Sequence, residues 1–221
     1  IQDNKGHIDE DYITALANLL EISQTEVYEV ATFYHHFDII KSDQKAPPSL
    51  TVRVCDSVSC EINGANELAQ NLNDYFKGTI RIQKVPCIGR CQNAPVAVVK
   101  FNPIDNANLK NVKQAVDARE YLPTIPPYIN LDEYIKKGGY KLFEKVINNE
   151  TEKERVLKEL ENSNLRGLGG AGFPAGKKWR ILKEQSAPRL LAVNIDEGEP
   201  GTFKDRFYLE SDPHRFFEGM L

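Results

Sequence analysis

Four cysteines stand in two tight pairs, Cys55-x4-Cys60 and Cys87-x3-Cys91, with the 26 residues 61–86 between them. In a reducing compartment, cysteines spaced this closely ligate metals or clusters more often than they form disulfides. A [2Fe-2S] rhomb needs four thiolates, two per iron, on loops short enough to wrap it, and two pairs from two neighbouring loops meet that need. Ser57, Ser59 and Gly89 put small residues around the sulfurs, leaving backbone amides free to hydrogen-bond them and tune the potential. Pro86 and Pro95 brace the second loop. Structural zinc is the second reading, since its pairs lie about two to four residues apart, most often two. Disulfides or free thiols come third, because nothing else indicates an oxidising compartment. The spacing favours the iron–sulfur cluster.

Two further segments could hold a ligand. The run Arg166-Gly167-Leu168-Gly169-Gly170-Ala171-Gly172-Phe173-Pro174-Ala175-Gly176-Lys177-Lys178-Trp179 is dense in glycine, which lets backbone N–H groups approach a phosphate. A helix N-terminus and a lysine following it would complete an anion site. It is not a Walker A loop, because the Lys-Ser/Thr pair is missing, and no strand clearly precedes it as in a Rossmann fingerprint. On its own such a loop reads equally well as a tight turn. The second segment, Asn194-Ile195-Asp196-Glu197-Gly198-Glu199-Pro200-Gly201, follows an apolar stretch that reads as a strand. Ligands sit at strand ends in open α/β sheets. Three carboxylates there would repel phosphate and suit ribose, ribityl or nicotinamide hydrogen bonds; a solvated acidic turn is the plain alternative. Lys204, Asp205 and Arg206 could pair with these acids structurally. His35 and His36 read as a packed or exposed pair rather than ligands, His7 and His214 carry no assignment, and no nucleophilic Ser, Cys or His arrangement is present.

These residues need elements to hold them. Tyr12, Leu16, Leu19 and Leu20 recur at helical spacing after Asp9-Glu10-Asp11, and Ser23 with Glu26 has the capping-box spacing for a second helix through Val27, Val30, Ala31 and Tyr34. This helical unit covers 1–46 and ends in a linker with Pro47-Pro48. From 47 to 118 the pattern is β-α-β-β-α. Leu50, Val52 and Val54 alternate into Cys55, a helix covers Ala65 to Phe76, and Ile80 and Ile82 lead to Cys87. Val96 and Val98 mark a third strand, and Leu109, Val112 and Val116 a closing helix. That order fits a thioredoxin-like sandwich with both cysteine pairs just past strand ends. Residues 119–150 form a connector with short helical pieces. A new α/β unit occupies 151–221: a helix at 151–161, the glycine-rich loop, a helix around 178–184 and a strand at 189–195.

With 221 residues, 41% hydrophobic and 27% charged, the chain has the composition of one or two folded globular domains and is too apolar for a disordered one. A net charge of −4 gives no reason to expect nucleic acid or an acidic membrane. No apolar run approaches the roughly 20 residues of a membrane span, and no signal peptide is evident, so membrane insertion is not expected and the cytoplasm is the default. The chain opens at Ile1 in helical sequence and closes in the apolar run ending at Leu221, which reads as a piece of a longer polypeptide.

Residues 1 to about 118, through Val30-Ala31-Thr32-Phe33-Tyr34, Val54-Cys55-Asp56-Ser57 and Pro86-Cys87-Ile88-Gly89-Arg90-Cys91, resemble the thioredoxin-like ferredoxin subunit of respiratory complex I. From about 128 onward, Leu165 to Trp179 and the decapeptide Asp196 to Asp205 resemble the start of its FMN- and NADH-binding subunit. The two are usually separate chains in complex I. Fused versions occur in diaphorase subunits of NAD-reducing hydrogenases and of NAD-dependent molybdenum or tungsten formate dehydrogenases. Four retained cysteines, the 26-residue interval and Asp212-Pro213-His214-Arg215-Phe216 look most like the formate dehydrogenase beta subunit.

That resemblance implies an oxidoreductase subunit passing electrons from formate oxidation through iron–sulfur clusters and FMN to NAD⁺. A diaphorase of a NAD-reducing hydrogenase or a complex I module is the alternative, and a zinc-stabilised non-redox module is the alternative of another class. It places Cys55, Cys60, Cys87 and Cys91 on the [2Fe-2S] cluster. Gly167, Gly169, Gly170, Gly172 and Lys178 would lie along the flavin phosphate and the dinucleotide, Asn194, Asp196 and Glu197 would bond FMN, and Phe173 and Glu199 would face NADH. Leu168 stands where complex I usually has arginine, a departure from the pattern. A [4Fe-4S] cluster is expected only beyond residue 221, and the partner is a molybdenum or tungsten catalytic subunit with further iron–sulfur clusters.

Overall fold

Local sequence signals set several helix starts in the computed structural model, which describes residues 1–41, 43–167 and 171–221. The Asp9 carboxylate accepts from the Tyr12 N–H and starts the helix Glu10–Leu20. Ser23 and Glu26 form the expected capping box at the head of Gln24–Phe33. Such caps satisfy N–H groups that have no partner inside the helix. The two helices bury Ile13, Ala17, Val27 and Ala31 in one small apolar cluster. Two very short parallel strands, β1 (Ile8–Asp9) and β2 (Ile39–Ile40), tie the two ends of this hairpin together.

The described residues fall into two compact units, 1–125 with 196–207, and 126–195 with 208–221. In the first unit a four-stranded sheet is built from β3 (Thr51–Cys55), β4 (Arg81–Val85), β5 (Ala97–Val99) and β6 (Asn102–Ile104), in the order β4-β3-β5-β6. β3 runs parallel to β4 and antiparallel to β5, and β5 runs antiparallel to β6. A parallel pair needs a crossover, and the helices Val58–Ile62 and Ala65–Phe76 supply it. Leu68, Leu72 and Phe76 bring their apolar face onto Val52, Val54 and Val85, and Val112 and Ala115 of the helix Leu109–Asp117 join the same core. The sequence showed three of these strands. The fourth holds three residues including Pro103, too few for an alternation signal, and lies on the sheet edge where a missing N–H is tolerated.

The second unit is helical. Lys153–Asn162 and Ala175–Lys183 pack at Gly176, where an added Cβ would lie 2.5 Å from the Glu161 nitrogen. Arg180 holds Glu161 through two hydrogen bonds of 2.5 and 2.9 Å, and Glu154 at 2.8 Å. The connector supplies the helices Leu131–Lys136 and Lys141–Ile147. Glu218, on the helix Pro213–Met220, accepts from the Tyr140 N–H at 2.9 Å and from the Tyr134 hydroxyl. The expected strand at 189–195 is not one: these residues join no ladder, and Leu190 is 87% exposed. A strand lasts only where a neighbour takes its N–H and C=O groups. Among the described residues no helix is long and apolar enough to cross a membrane.

Candidate functional site

Cys55 closes β3, and Cys87 lies two residues beyond β4. The register pairs Cys55 with Val85, so the parallel strands end together and deliver both cysteine pairs to one edge of the sheet. The turn after β3 runs straight into Val58–Ile62, which carries Cys60 back beside Cys55. Cys91 opens a short 3₁₀ turn, Cys91–Asn93. The sulfurs of Cys87 and Cys91 lie 3.3 Å apart, and the Cys55 side chain is near enough to Cys60 and Cys87 to bear on the ionisation of each. The first pair is buried and the second exposed. All four thiols are therefore neighbours, with one side open.

Burial first, then the hydrogen bond from Cys55 and the charges of Cys55 and Cys91, pushes the Cys60 thiol up to about 12, against a Val96 backbone hydrogen bond that lowers it. Cys87 is raised as well, chiefly by burial, while the Gly89 N–H, 3.4 Å from its sulfur, acts the other way. Four crowded thiols oppose one another's ionisation, and cationic iron reverses that balance. The donor set, four sulfurs from two adjoining loops with backbone N–H groups at Cys60 and Cys87, fits a [2Fe-2S] cluster. Among the described residues no group of three or more His, Cys, Asp or Glu meets the geometry of a single-ion site.

The loop holding Cys87 and Cys91 is fixed by groups that sequence reasoning missed. Arg90 is buried and grips Asp105, with Nε to Oδ1 at 2.6 Å and Nη2 to Oδ2, and Asn93 reaches the same carboxylate at 2.8 Å. The Arg90 guanidinium also lies 4.1 Å from the centre of the Phe207 ring. Nothing local in the sequence pairs Arg90 with a residue fifteen positions away. Gly89 takes φ +88, and a Cβ there would be 3.0 Å from Lys204 Cβ. Close by, the Phe203 N–H donates to the Ile88 carbonyl at 2.8 Å.

In the acidic segment, the Glu197 carboxylate accepts from the backbone N–H of Lys204, of Asp205 at 3.0 Å and of Arg206 at 3.1 Å. It thereby caps the helix Asp205–Ser211. The expected link between these acids and 204–206 thus runs through backbone N–H groups. The Glu199 carbonyl accepts from both the Thr202 N–H and hydroxyl. Asp196, Glu197 and Glu199 belong to the first unit, and Gly167, Gly172, Phe173, Lys178 and Asn194 to the second. There the Gly167 N–H donates to the Phe173 carbonyl at 2.9 Å, and Arg166 Nη1 to the Gly172 carbonyl at 3.1 Å. Gly172 has φ +53, and Lys178 stands in the first turns of Ala175–Lys183. Leu168, Gly169 and Gly170 lie outside the described residues.

With this geometry in view, comparison with known proteins decides the family. Residues 1–120, more than half of the chain, match the model of the thioredoxin-like [2Fe-2S] ferredoxin family. The chain belongs to that family. Beyond the ferredoxin domain, residues 160–221 match the Nuo51 FMN-binding domain. The chain is 47% identical over 96 residues to the F subunit of the NADH-quinone oxidoreductase of Aquifex aeolicus, covering 43% of this chain and 22% of that protein. It is 27% identical over 254 aligned positions to the alpha subunit of the NAD-reducing hydrogenase HoxS of Cupriavidus necator, covering all of this chain and 41% of that protein. A crystal structure of an air-oxidized NAD⁺-reducing [NiFe]-hydrogenase matches 96% of this chain and 40% of its own, at 26% identity and a TM-score of 0.52. The chain thus spans about a fifth of the length of the Aquifex relative and about two fifths of the hydrogenase relative. It joins a [2Fe-2S] ferredoxin domain to a segment that matches the start of an FMN-binding domain.

Proposed function

We propose that this chain is the electron-transfer part of a diaphorase subunit, with Cys55, Cys60, Cys87 and Cys91 ligating its [2Fe-2S] cluster. The observation that carries the reading is the meeting of both cysteine pairs at the shared end of β3 and β4. The match to an FMN-binding domain supports it from the other half of the chain. When bound, the cluster carries single electrons, and FMN exchanges them for the hydride of NAD(H). The chain's own work is to bury Cys55 and Cys60, to hold the second pair through Arg90 and Asp105, and to position the flavin. For that last task we assign Gly167, Gly169, Gly170, Gly172 and Lys178 to the flavin phosphate and the dinucleotide. Asn194, Asp196 and Glu197 go to FMN, and Phe173 and Glu199 to NADH. Full-length subunits would add a [4Fe-4S] cluster beyond residue 221.

Formate is the donor we favour, delivered through a molybdenum or tungsten partner with further iron–sulfur clusters. Its support is the set of four cysteines, their 26-residue interval and Asp212-Pro213-His214-Arg215-Phe216. A second reading, hydrogen as donor, is supported by the hydrogenase relative that aligns with the whole chain. The experiment is NAD⁺ reduction by the intact native assembly, with formate and hydrogen assayed in parallel. Formate activity alone is the expected result. Hydrogen activity alone moves the chain to the hydrogenase branch and leaves the site residues unchanged. Activity with neither, in a preparation containing flavin and iron, overturns both donors in favour of a complex I-like partner.

A further inference from the structure

Arg53 sits mid-strand on β3 and is 6% exposed. Among the described residues its side chain makes one hydrogen bond, from Nε to the His35 carbonyl oxygen at 3.4 Å. Asp38, whose charge reaches Arg53, gives both its oxygens to Arg81 at 2.6 and 2.7 Å. Proteins rarely bury a guanidinium without a carboxylate of its own. Beside it, Nε2 of His35 and Nε2 of His36 are buried and have no hydrogen-bond partner. A Cβ on Gly201 would lie 2.7 Å from His35 Nε2 and 2.8 Å from His36 Nε2, so only glycine lets the backbone lie over the two rings. Unsatisfied buried groups call for a missing partner, and here two of them lie beside a guanidinium without a carboxylate of its own.

Arg53 and His36 line a cavity of about 910 Å³, where Lys100 adds a second cation and Leu16, Val27 and Phe101 give an apolar wall. That size suits a small organic ligand. Of the acids that also line it, Asp38 is spent on Arg81 and Glu26 is locked in the capping box with Ser23, while Asp3 and Glu29 are exposed. We propose that the cavity binds a small organic oxyanion, a phosphate or carboxylate, with its head on the Arg53 guanidinium beside the His36 imidazole. The guanidinium fork matches either group with two parallel hydrogen bonds, and its low hydration suits a buried anion. Neither the cluster nor the flavin assignment uses these residues.

The test is calorimetric titration of the cluster-loaded chain with inorganic phosphate, phenyl phosphate and benzoate, in about 0.1 M sodium chloride to screen exposed lysines. The expected result is saturable binding of one molecule of phosphate probe or benzoate, the preferred probe naming the class. Arg53→Met should weaken it by about tenfold or more, as loss of a charged hydrogen-bond partner does, and Lys45→Ala should leave it unchanged. Where Arg53→Met lacks the wild-type circular dichroism, His36→Gln takes its place and must show a comparable loss. No binding of any probe, or equal binding by wild type and variant, overturns the proposal. Cluster content, measured on the same samples, reports separately on the diaphorase reading.

Discussion

Cys55 bears on two of its three possible co-ligands, Cys60 within its own pair and Cys87 in the other. Serine in its place keeps the size but offers a poor ligand for iron, whose clusters are held by thiolates. Cys55→Ser is expected to lose the visible absorption and the reduced-state EPR signal of the [2Fe-2S] cluster. A full-intensity signal in the variant would remove Cys55 from the ligand set. A second residue-scale effect belongs to His36, held down to about 4 by burial first, then by Arg53 and His35, with Asp38 opposing. Because the folded value lies below the ordinary 6.5, the unfolded chain takes up the proton first. The stability tied to neutral His36 is therefore complete above about pH 6.5 and is lost as pH falls towards 4. Allowing for its partial exposure, the loss is on the order of 2 kcal/mol. Urea midpoints at pH 7 and 4.5 should fall further for wild type than for His36→Gln; equal falls would mean that the protonated ring finds a hydrogen-bond acceptor in the fold.

At the scale of elements, Gly176 decides how closely two helices approach. Two of the three atoms nearest its missing Cβ are backbone, Glu161 N at 2.5 Å and Cα at 2.7 Å, so moving the Glu161 side chain aside would not make room. Alanine is the better helix former by about 1 kcal/mol, but here the two helices must part to admit it. Gly176→Ala is expected to destabilise by about 1–3 kcal/mol in thermal unfolding, with the exposed Lys177→Ala near neutral. An unchanged midpoint would show that the helices separate freely. The same scale explains what could be read beforehand. Asp9, Ser23 with Glu26, and the alternation into Cys55 are local signals, and the helices and strand they mark are in place. The sheet edge that gathers four sulfurs was legible too, because two strands each led into a cysteine pair. The two-residue strands at 8–9 and 39–40 carry no pattern at all. Arg90 with Asp105, and Arg53 with the two histidines, depend on residues far apart in sequence. At 189–195 the apolar run resembles a strand, but only a neighbouring strand could make it one.

On the scale of the whole molecule, the two cofactor assignments rest on unequal foundations. The cysteine edge lies on a closed core in which Leu72, Val85 and Val112 are fully buried. That domain has what it needs to hold a cluster. The flavin assignments rest instead on Gly167 bonded to Phe173, on Glu197 engaged as a helix cap, and on an apolar stretch with Leu190, Leu191, Val193 and Ile195 turned to solvent. Pockets that retain a flavin bury most of its surface, and exposed apolar side chains without a ladder do not provide that. The 221-residue chain alone is therefore expected to reconstitute with iron and sulfide to the colour of a [2Fe-2S] protein while retaining little FMN after gel filtration. Released flavin fluorescence and iron content, measured on one sample, give the two values side by side. Stoichiometric FMN on the isolated chain would show that these residues close a flavin site unaided. Loss of both would place the fault in the ferredoxin domain, and Leu72→Ala, costing about 2–5 kcal/mol, should then mimic it. Cluster retention with flavin loss is the pattern that two independent foundations require.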